Sequence, residues 1–144
     1  MPVTDEYFST TPDGRVLKNG TPVHIRESDL FSREAVLVAD GKFSSWFTVS
    51  PDYRGKIRSL GSSVAHLSYL ASGSADVVLL GNTHIWDLAA GCAMIKANHG
   101  VMEYFDGTPV LLEALLRDTK APGVILAGQA ETVAQFRTFL SRRM

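Results

Sequence analysis

The stretch Ile85-Trp86-Asp87-Leu88-Ala89-Ala90-Gly91 opens a predicted helix, 86–97, shortly after an apolar run. An aspartate is favoured in a first helical turn because the unpaired N–H groups there carry partial positive charge, so Asp87 could simply be a helix-start acid. The small residues that follow it would, however, let a ligand approach. A carboxylate beside open N–H groups can hold a hard cation while the amides bind an anion. We therefore predict that Asp87 binds a metal, with magnesium and phosphate as the expected pair.

Strand and helix patterns alternate on both sides of this stretch. Apolar runs predict strands at 35–39, 76–80, 101–105 and 123–127, with an extended segment at 57–60. Helices are predicted after residue 63 up to Gly73, at 86–97, and at 129–142 with Val133, Phe136 and Leu140 facing inward. This alternation predicts a layered α/β domain in which a sheet lies between helices.

The N-terminal part of the chain has a different pattern. Short strands are predicted at 6–9 and 22–26, and Asn19-Gly20 is a strong hairpin signal. We interpret 1–144 as a single domain, in which 1–34 is an irregular strand and hairpin segment and 35–144 carries the alternating strands and helices.

A second motif, Gly61-Ser62-Ser63, lies where the extended segment runs into a helix. Either serine could cap that helix. Alternatively, Gly61 could let a ligand approach the backbone, and the amides and hydroxyls of Ser62 and Ser63 could bind its polar groups. The residues alone leave both interpretations open.

Composition excludes several functional classes. The 144 residues carry a net charge of -1, which argues against nucleic acid or an anionic membrane as the main partner. The single cysteine, Cys92, excludes an intrachain disulfide and a cysteine-based zinc site, and it is expected to be a small buried hydrophobe. No apolar run is long enough to span a membrane, and no signal peptide is visible, so we expect a cytoplasmic protein.

The order and spacing of several motifs resemble the inositol monophosphatase family. The strings that carry the resemblance are Arg58-Ser59-Leu60-Gly61-Ser62-Ser63, Ala71-Ser72-Gly73-Ser74-Ala75-Asp76, Trp86-Asp87-Leu88-Ala89-Ala90-Gly91 and Val124-Ile125-Leu126-Ala127-Gly128. The resemblance implies the C-terminal half of that family's αβαβα sandwich and magnesium-dependent hydrolysis of phosphate monoesters. It also implies that Asp87 is a metal ligand and that Gly61, Ser62 and Ser63 line the alcohol side of the substrate.

The chain also departs from the family pattern. Members are longer, and their other metal ligands lie upstream, in a Gly-Glu-Glu-like string and in Asp-Pro-x-Asp-Gly-Thr, neither of which occurs here. One carboxylate cannot hold two magnesium ions, because such sites need several oxygen ligands. Leu80 occupies the position where inositol-type members usually carry an acid that binds substrate hydroxyls, which argues against inositol phosphate as the substrate.

Two main hypotheses follow. In the first, the chain is part of a magnesium-dependent phosphomonoesterase that acts on a small phosphorylated sugar, polyol or nucleotide and needs an N-terminal half for activity. In the second, it is a non-catalytic binding or interaction domain that retains the half-fold. An intact hydrolase of another class is a weaker alternative, because no nucleophile and base pair is visible. The histidines His24, His66 and His84 lack metal-ligand spacing, and we do not expect them to be catalytic.

The half-fold interpretation has a consequence for the surface. A half of a layered sandwich would expose the apolar face that normally packs on the missing half. We therefore expect the isolated chain to associate, either with an N-terminal half-domain or with a second copy of itself.

Overall fold

The computed structural model describes residues 1–143. Its N-terminal part is a three-stranded antiparallel sheet, formed in chain order by β1 (Phe8–Thr10), β2 (Val16–Lys18) and β3 (Thr21–Val23). Asn19 and Gly20 connect β2 to β3 with φ values of 49° and 80°. Positive φ at both central residues is the geometry of a tight hairpin turn, so the predicted hairpin is confirmed.

A five-stranded mixed sheet forms the centre of the fold. Its strands, in chain order, are β4 (Val36–Ala39), β6 (Lys56–Arg58), β7 (Val77–Leu80), β8 (Val101–Tyr104) and β9 (Ile125–Gly128), while β5 (Phe47–Val49) lies outside it. The order across the sheet is β6-β4-β7-β9-β8, with β6, β4 and β7 mutually parallel and β9 antiparallel to both neighbours. The carboxyl ends of β6, β4 and β7 therefore lie at one edge of the sheet.

Helices cover both faces of this sheet. The chain forms α1 (Ser63–Ala71), α2 (Ile85–Ala97), α3 (Leu112–Asp118) and α4 (Ala130–Thr138). Strand β7 is buried along its whole length: Val78 and Leu80 pack with Leu67 of α1, whereas Leu79 packs with Phe136 of α4. Successive residues of a strand point to opposite faces, so this division places α1 and α4 on opposite sides. The predicted layered α/β fold is confirmed.

The end of the chain differs from the prediction. The helix expected over 129–142 ends at Thr138, and Leu140–Arg142 forms a strand, β10, that pairs antiparallel with β5. Leu140 is buried, but it packs in the cluster that contains Phe47 and Phe136 from a strand position opposite Val49, not from the inward face of a helix. Helix α3 was not predicted, although Leu112, Leu115 and Leu116 have helical spacing; it is only seven residues long, and Leu115 is buried whereas Leu116 is 71% exposed.

Cys92 is half-buried, whereas full burial was expected. Its Sγ lies 3.3 Å from Sδ of Met102, and desolvation raises the pKa of its thiol to about 11.

Among residues 1–143, no helix combines the length and the apolar character needed to cross a membrane.

Gly91 lies where α2 packs tightly against α1. A Cβ added at Gly91 would lie 2.1 Å from Cδ1 and 2.9 Å from Cβ of Leu67, a residue with no exposed surface. The small size of Gly91 therefore serves the packing of the two helices, whereas Ala89 and Ala90 are exposed. The prediction that small residues let a ligand approach therefore still applies to Ala89 and Ala90, but not to Gly91, which is packed against Leu67.

Gly91→Ala is expected to destabilise the fold by about 1–2 kcal/mol, because overpacking against Leu67 outweighs the roughly 1 kcal/mol that alanine gains over glycine in a helix. Chemical denaturation measures the change. Gly123→Ala is the matched control, since its Cβ would meet only Cδ1 of Tyr104 at 3.6 Å, an ordinary contact. If the unfolding midpoint of Gly91→Ala lies at a higher denaturant concentration than that of the native chain, α1 and α2 can move apart without loss of stability, and the prediction is wrong.

Candidate functional site

The candidate site lies at the carboxyl edge of the three parallel strands. Asp40 follows β4, the Gly61–Ser63 segment follows β6, and the loop 81–84 carries the chain from β7 to Asp87 in the first turn of α2. In open α/β sheets, ligands bind outside the carboxyl ends of the strands, where connecting loops supply polar groups. The fold thus brings both predicted motifs to the edge where a ligand is expected.

Asp87 occupies the third position of α2, and its side chain is 38% exposed. Its Oδ2 accepts a hydrogen bond from the backbone N–H of His84 at 3.0 Å, which is the return half of a capping interaction. Nδ1 of His84 lies 3.7 Å from the same oxygen. Within the described part of the chain, Oδ1 makes no hydrogen bond, so capping the helix leaves one carboxylate oxygen available.

The described surroundings of Asp87 do not supply a complete metal site. In residues 1–143, no group of three or more histidine, cysteine, aspartate or glutamate side chains could hold a metal ion. Magnesium requires near-octahedral coordination by oxygen, so Asp87, which belongs to no such group in this part of the chain, does not fit a complete magnesium site. The role of Asp87 as a single ligand, completed from elsewhere, remains a prediction.

The Gly61–Ser63 segment combines a turn with a helix cap. Gly61 has φ of 71°, a conformation that favours glycine, and a Cβ placed there would meet nothing within 4 Å. Ser62 is the N-cap of α1, and its Oγ accepts from the N–H of Ala65 at 3.3 Å. The capping interpretation is therefore confirmed for Ser62, and Gly61 adjoins open space. Substrate binding by this segment stays a prediction.

Two residues that the sequence did not single out as ligand-binding complete this region. Asp40 and His66, together with Gly41 and the Gly61–Ser63 segment, line a pocket of about 170 Å³. His66 is 2% exposed, its Nε2 accepts from the N–H of Leu60 at 3.0 Å, and desolvation lowers its pKa. An acid followed by glycine at the end of an apolar strand was the available signal for Asp40. Asp87 is not part of the wall of this pocket.

Trp86 presents an aromatic surface beside the candidate metal ligand. It is 63% exposed, and its ring stacks on that of His84 with centroids 4.7 Å apart and planes inclined by 5°. The stacking holds His84 in place where its backbone donates to Asp87. Aromatic groups exposed to this degree are common in surfaces that contact a partner.

Comparison with known proteins agrees with this architecture. The sequence model of the Inositol monophosphatase family matches residues 1–138. The probable inositol 1-monophosphatase ImpA of Mycobacterium tuberculosis is 29% identical over 129 residues, which are 76% of this chain and 44% of the relative. Inositol monophosphatase 2 of Rattus norvegicus is 34% identical over 80 residues, 54% of this chain and 28% of the relative.

Solved structures share the fold. The inositol monophosphatase of Anabaena superimposes with a TM-score of 0.71 at 19% identity, covering 95% of this chain and 54% of that one. The staphylococcal enzyme SaIMPase-II bound to inositol monophosphate superimposes with a TM-score of 0.74 at 15% identity, covering 94% of this chain and 53% of that one. The chain thus spans about half the length of these solved structures, and less than half of the two curated relatives. With a family match over 138 of its 144 residues, the chain belongs to the inositol monophosphatase family.

Proposed function

We propose that this chain is the C-terminal portion of a magnesium-dependent phosphomonoesterase, in which Asp87 is one metal ligand and the Gly61–Ser63 segment contacts the alcohol side of the substrate. The observation that carries the proposal is Oδ1 of Asp87 at the N-terminus of α2, which has no hydrogen-bond partner among residues 1–143, in a chain that matches the family over residues 1–138. When bound, magnesium would neutralise phosphate charge and activate water. The chain's own contribution is to fix the direction of the Asp87 carboxylate through the His84 N–H.

The substrate is proposed to be a small phosphorylated sugar, polyol or nucleotide. SaIMPase-II has been solved with inositol monophosphate and with 2'AMP, so one relative accommodates both a polyol and a nucleotide. In this chain Leu80 is 1% exposed and packed in the core, so its side chain is in no position to bind hydroxyl groups. This argues against recognition of the alcohol through position 80.

The remaining metal ligands are proposed to come from an N-terminal half. A second copy of this chain lacks the same ligands, so self-association would not complete the metal site. Exposed apolar side chains in the edge strand β6, in the segment between β6 and α1, and in the first turns of α1 and α2 support docking of another structural unit. They are Ile57, Leu60, Val64 and Trp86, with exposures of 37%, 46%, 36% and 63%. Burial of such a surface by a partner is favourable.

Reconstitution tests the proposal. The chain is co-expressed with the N-terminal half of an inositol monophosphatase relative, and complex formation is measured by size-exclusion chromatography. We expect the complex to release phosphate from small phosphomonoesters with magnesium, and to lose this activity with a chelator. The chain alone should be inactive, because it lacks a complete magnesium site.

The alternative is a non-catalytic binding domain that retains the half-fold. Residues 1–143 contain no group of three or more candidate metal ligands. If no other polypeptide segment supplies the missing ligands, this observation favours the non-catalytic alternative. A stable complex that releases no phosphate, or a strictly monomeric chain that forms no complex, would support this alternative over the phosphatase.

A further inference from the structure

The segment between β6 and α1 is held by a side chain rather than by the sheet. The N–H of Lys56 donates to the carbonyl of Ala35 at 2.7 Å. Alternate residues of a parallel strand repeat this pattern, so continued pairing with β4 would direct the N–H of Leu60 to the carbonyl of Ala39. Pairing stops at the end of β6, however, and the N–H of Leu60 donates to Nε2 of His66 at 3.0 Å. The histidine ring thus replaces a sheet carbonyl where the chain leaves the sheet.

Leu60 leads directly into the Gly61–Ser63 segment. Gly61 turns the chain with φ of 71°, and the carbonyl of Ser62 accepts from the backbone N–H of His66 at 3.0 Å. His66 therefore holds both ends of this turn, the residue before Gly61 through its ring and the residue after it through its backbone. The side chain of Leu60 is 46% exposed, so its packing contributes little to holding the turn.

The ring can make this contact only while it is neutral. A neutral imidazole has one acceptor nitrogen, and because Nε2 is that acceptor in His66, the proton lies on Nδ1. Nδ1 is buried and has no hydrogen-bond partner within residues 1–143. Protonation would add an N–H to Nε2, which would then face the N–H of Leu60 with no acceptor between them. The charged ring would therefore lose the contact with Leu60.

Asp40 is the charged group that acts on the ring. His66 is 2% exposed, and this burial lowers its pKa below the ordinary 6.5, although the carboxylate of Asp40 in the same pocket wall partly raises it. The neighbouring strands β4 and β7 carry only apolar side chains. The titratable residues of α2, which packs on α1, lie outside the pocket wall; they are Asp87, Cys92 and Lys96. The ring is therefore neutral at neutral pH and becomes charged in acid.

We propose that His66 is a positioning residue that fixes the Gly61–Ser63 segment at neutral pH and releases it when the ring is protonated. Its stabilising contribution is complete above the ordinary pKa of 6.5 and is lost as the pH falls through the lowered pKa of the buried ring. The inference rests on the proposed function only for the effect on substrate, because the segment is the proposed contact of the alcohol side. The release itself is a property of the chain alone.

The test is an NMR titration of the intact chain from about pH 8 to about pH 5, a range that includes the ordinary pKa of histidine, without metal or substrate. We expect the amide signals of 59–62 and the ring signal of His66 to shift with one common midpoint below pH 6.5, because one protonation causes both changes. Exchange of the Leu60 amide with solvent, corrected for its intrinsic pH dependence, should become about tenfold faster on the acid side, as loss of one hydrogen bond implies.

Variants separate titration from packing. His66→Gln places an amide oxygen near the position of Nε2 and does not titrate, so it should protect the Leu60 amide at both ends of the pH range. His66→Leu has no acceptor and should leave that amide unprotected throughout. Asp40→Asn should move the common midpoint to lower pH, because it removes the charge that raises the pKa of His66. The matched control is His24→Gln, an exposed histidine directly after β3, whose 59–62 signals should titrate as in the native chain.

Signals of 59–62 that do not follow the His66 ring would overturn the inference, as would a native-like pH response in His66→Gln. In the reconstituted complex, the ratio of the native KM to the His66→Gln KM should rise several-fold as the pH falls through the midpoint, while the kcat ratio stays constant. Release without a change in the KM ratio, or in a complex that liberates no phosphate, refutes only the proposed function. An active complex in which 59–62 do not titrate refutes only this inference.

Discussion

Asp87→Asn is expected to lower magnesium-dependent phosphate release by the reconstituted complex about 100-fold or more. A bound metal contributes several kcal/mol of transition-state charge stabilisation, and 100-fold in rate corresponds to about 2.7 kcal/mol. Asparagine removes the negative charge but retains an oxygen that can accept from the His84 N–H, the contact that Oδ2 makes at 3.0 Å. The helix start should therefore survive, and the loss should be one of metal affinity and rate.

The measurement compares magnesium dependence and thermal midpoint for the same complexes. Glu113→Gln is the matched control, because Glu113 is also an acid in the first turn of a helix, α3, and is exposed. This variant should keep its activity. If Asp87→Asn keeps phosphate release within a few-fold of the native complex, Asp87 is only a capping residue, and the non-catalytic alternative gains support.

The parts of the fold that sequence predicted correctly depend on short-range chemistry. Asn19-Gly20 sets the hairpin through positive φ values, and the position of Asp87 follows from helix-start electrostatics. The buried strand β7 could be predicted from its continuous apolar residues, which pack on both faces. In each case, fewer than ten neighbouring residues contain the information.

The parts that were missed depend on contacts between distant segments. Leu140 fits an inward helical position by spacing, yet pairing with Val49 recruits it into a strand. Asp40 and His66 meet only because β4 pairs with β7 while α1 packs over both, and no local pattern reveals that alignment. A helical pattern in neighbouring residues contains no information about a strand partner that lies about ninety residues away in the sequence.

Arg26→Met is expected to destabilise the chain by about 3 kcal/mol, because it leaves a buried carboxylate without its charged partner. The side chain of Asp76 is 3% exposed. Its oxygens accept from Nε of Arg26 at 2.7 Å, from Oγ of Ser28 at 2.8 Å and from the N–H of Val36 at 2.6 Å, and Nη2 of Arg26 completes a two-pronged pair. The thermal midpoint should fall by roughly 10 °C for a domain of this size.

The control for this variant is the same substitution at an exposed ion pair. Arg15 pairs with Asp13 at 3.0 Å, and both side chains are about 60% exposed. Such pairs contribute little, because water screens them, so Arg15→Met should leave the midpoint unchanged within error. Equal losses for the two variants would show that the Arg26 effect comes from the shorter methionine stem rather than from the stranded Asp76 charge.

The pH dependence separates charge from packing in the Arg26 variant. In the native chain, burial by itself would raise the pKa of Asp76, but hydrogen bonds from Arg26, Val36 and Ser28 lower it below its ordinary 3.8. Native stability from this group is therefore present above pH 3.8 and is lost as the pH falls through the lowered pKa. Without Arg26, burial should raise the pKa above 3.8, so folded Asp76 takes up a proton as the pH falls towards 4 and the stranded charge disappears.

The stability difference between the native chain and Arg26→Met should therefore shrink from neutral pH towards pH 3.8, where Asp76 is half protonated even in the unfolded chain. Urea unfolding at a series of pH values measures this difference directly. A difference that stays constant with pH would mean that Arg26 stabilises the fold through the packing of its aliphatic stem, since packing does not titrate. A shrinking difference would establish that the fold holds Asp76 as a charged group and that the guanidinium of Arg26 compensates its charge, beyond the hydrogen bonds from Val36 and Ser28.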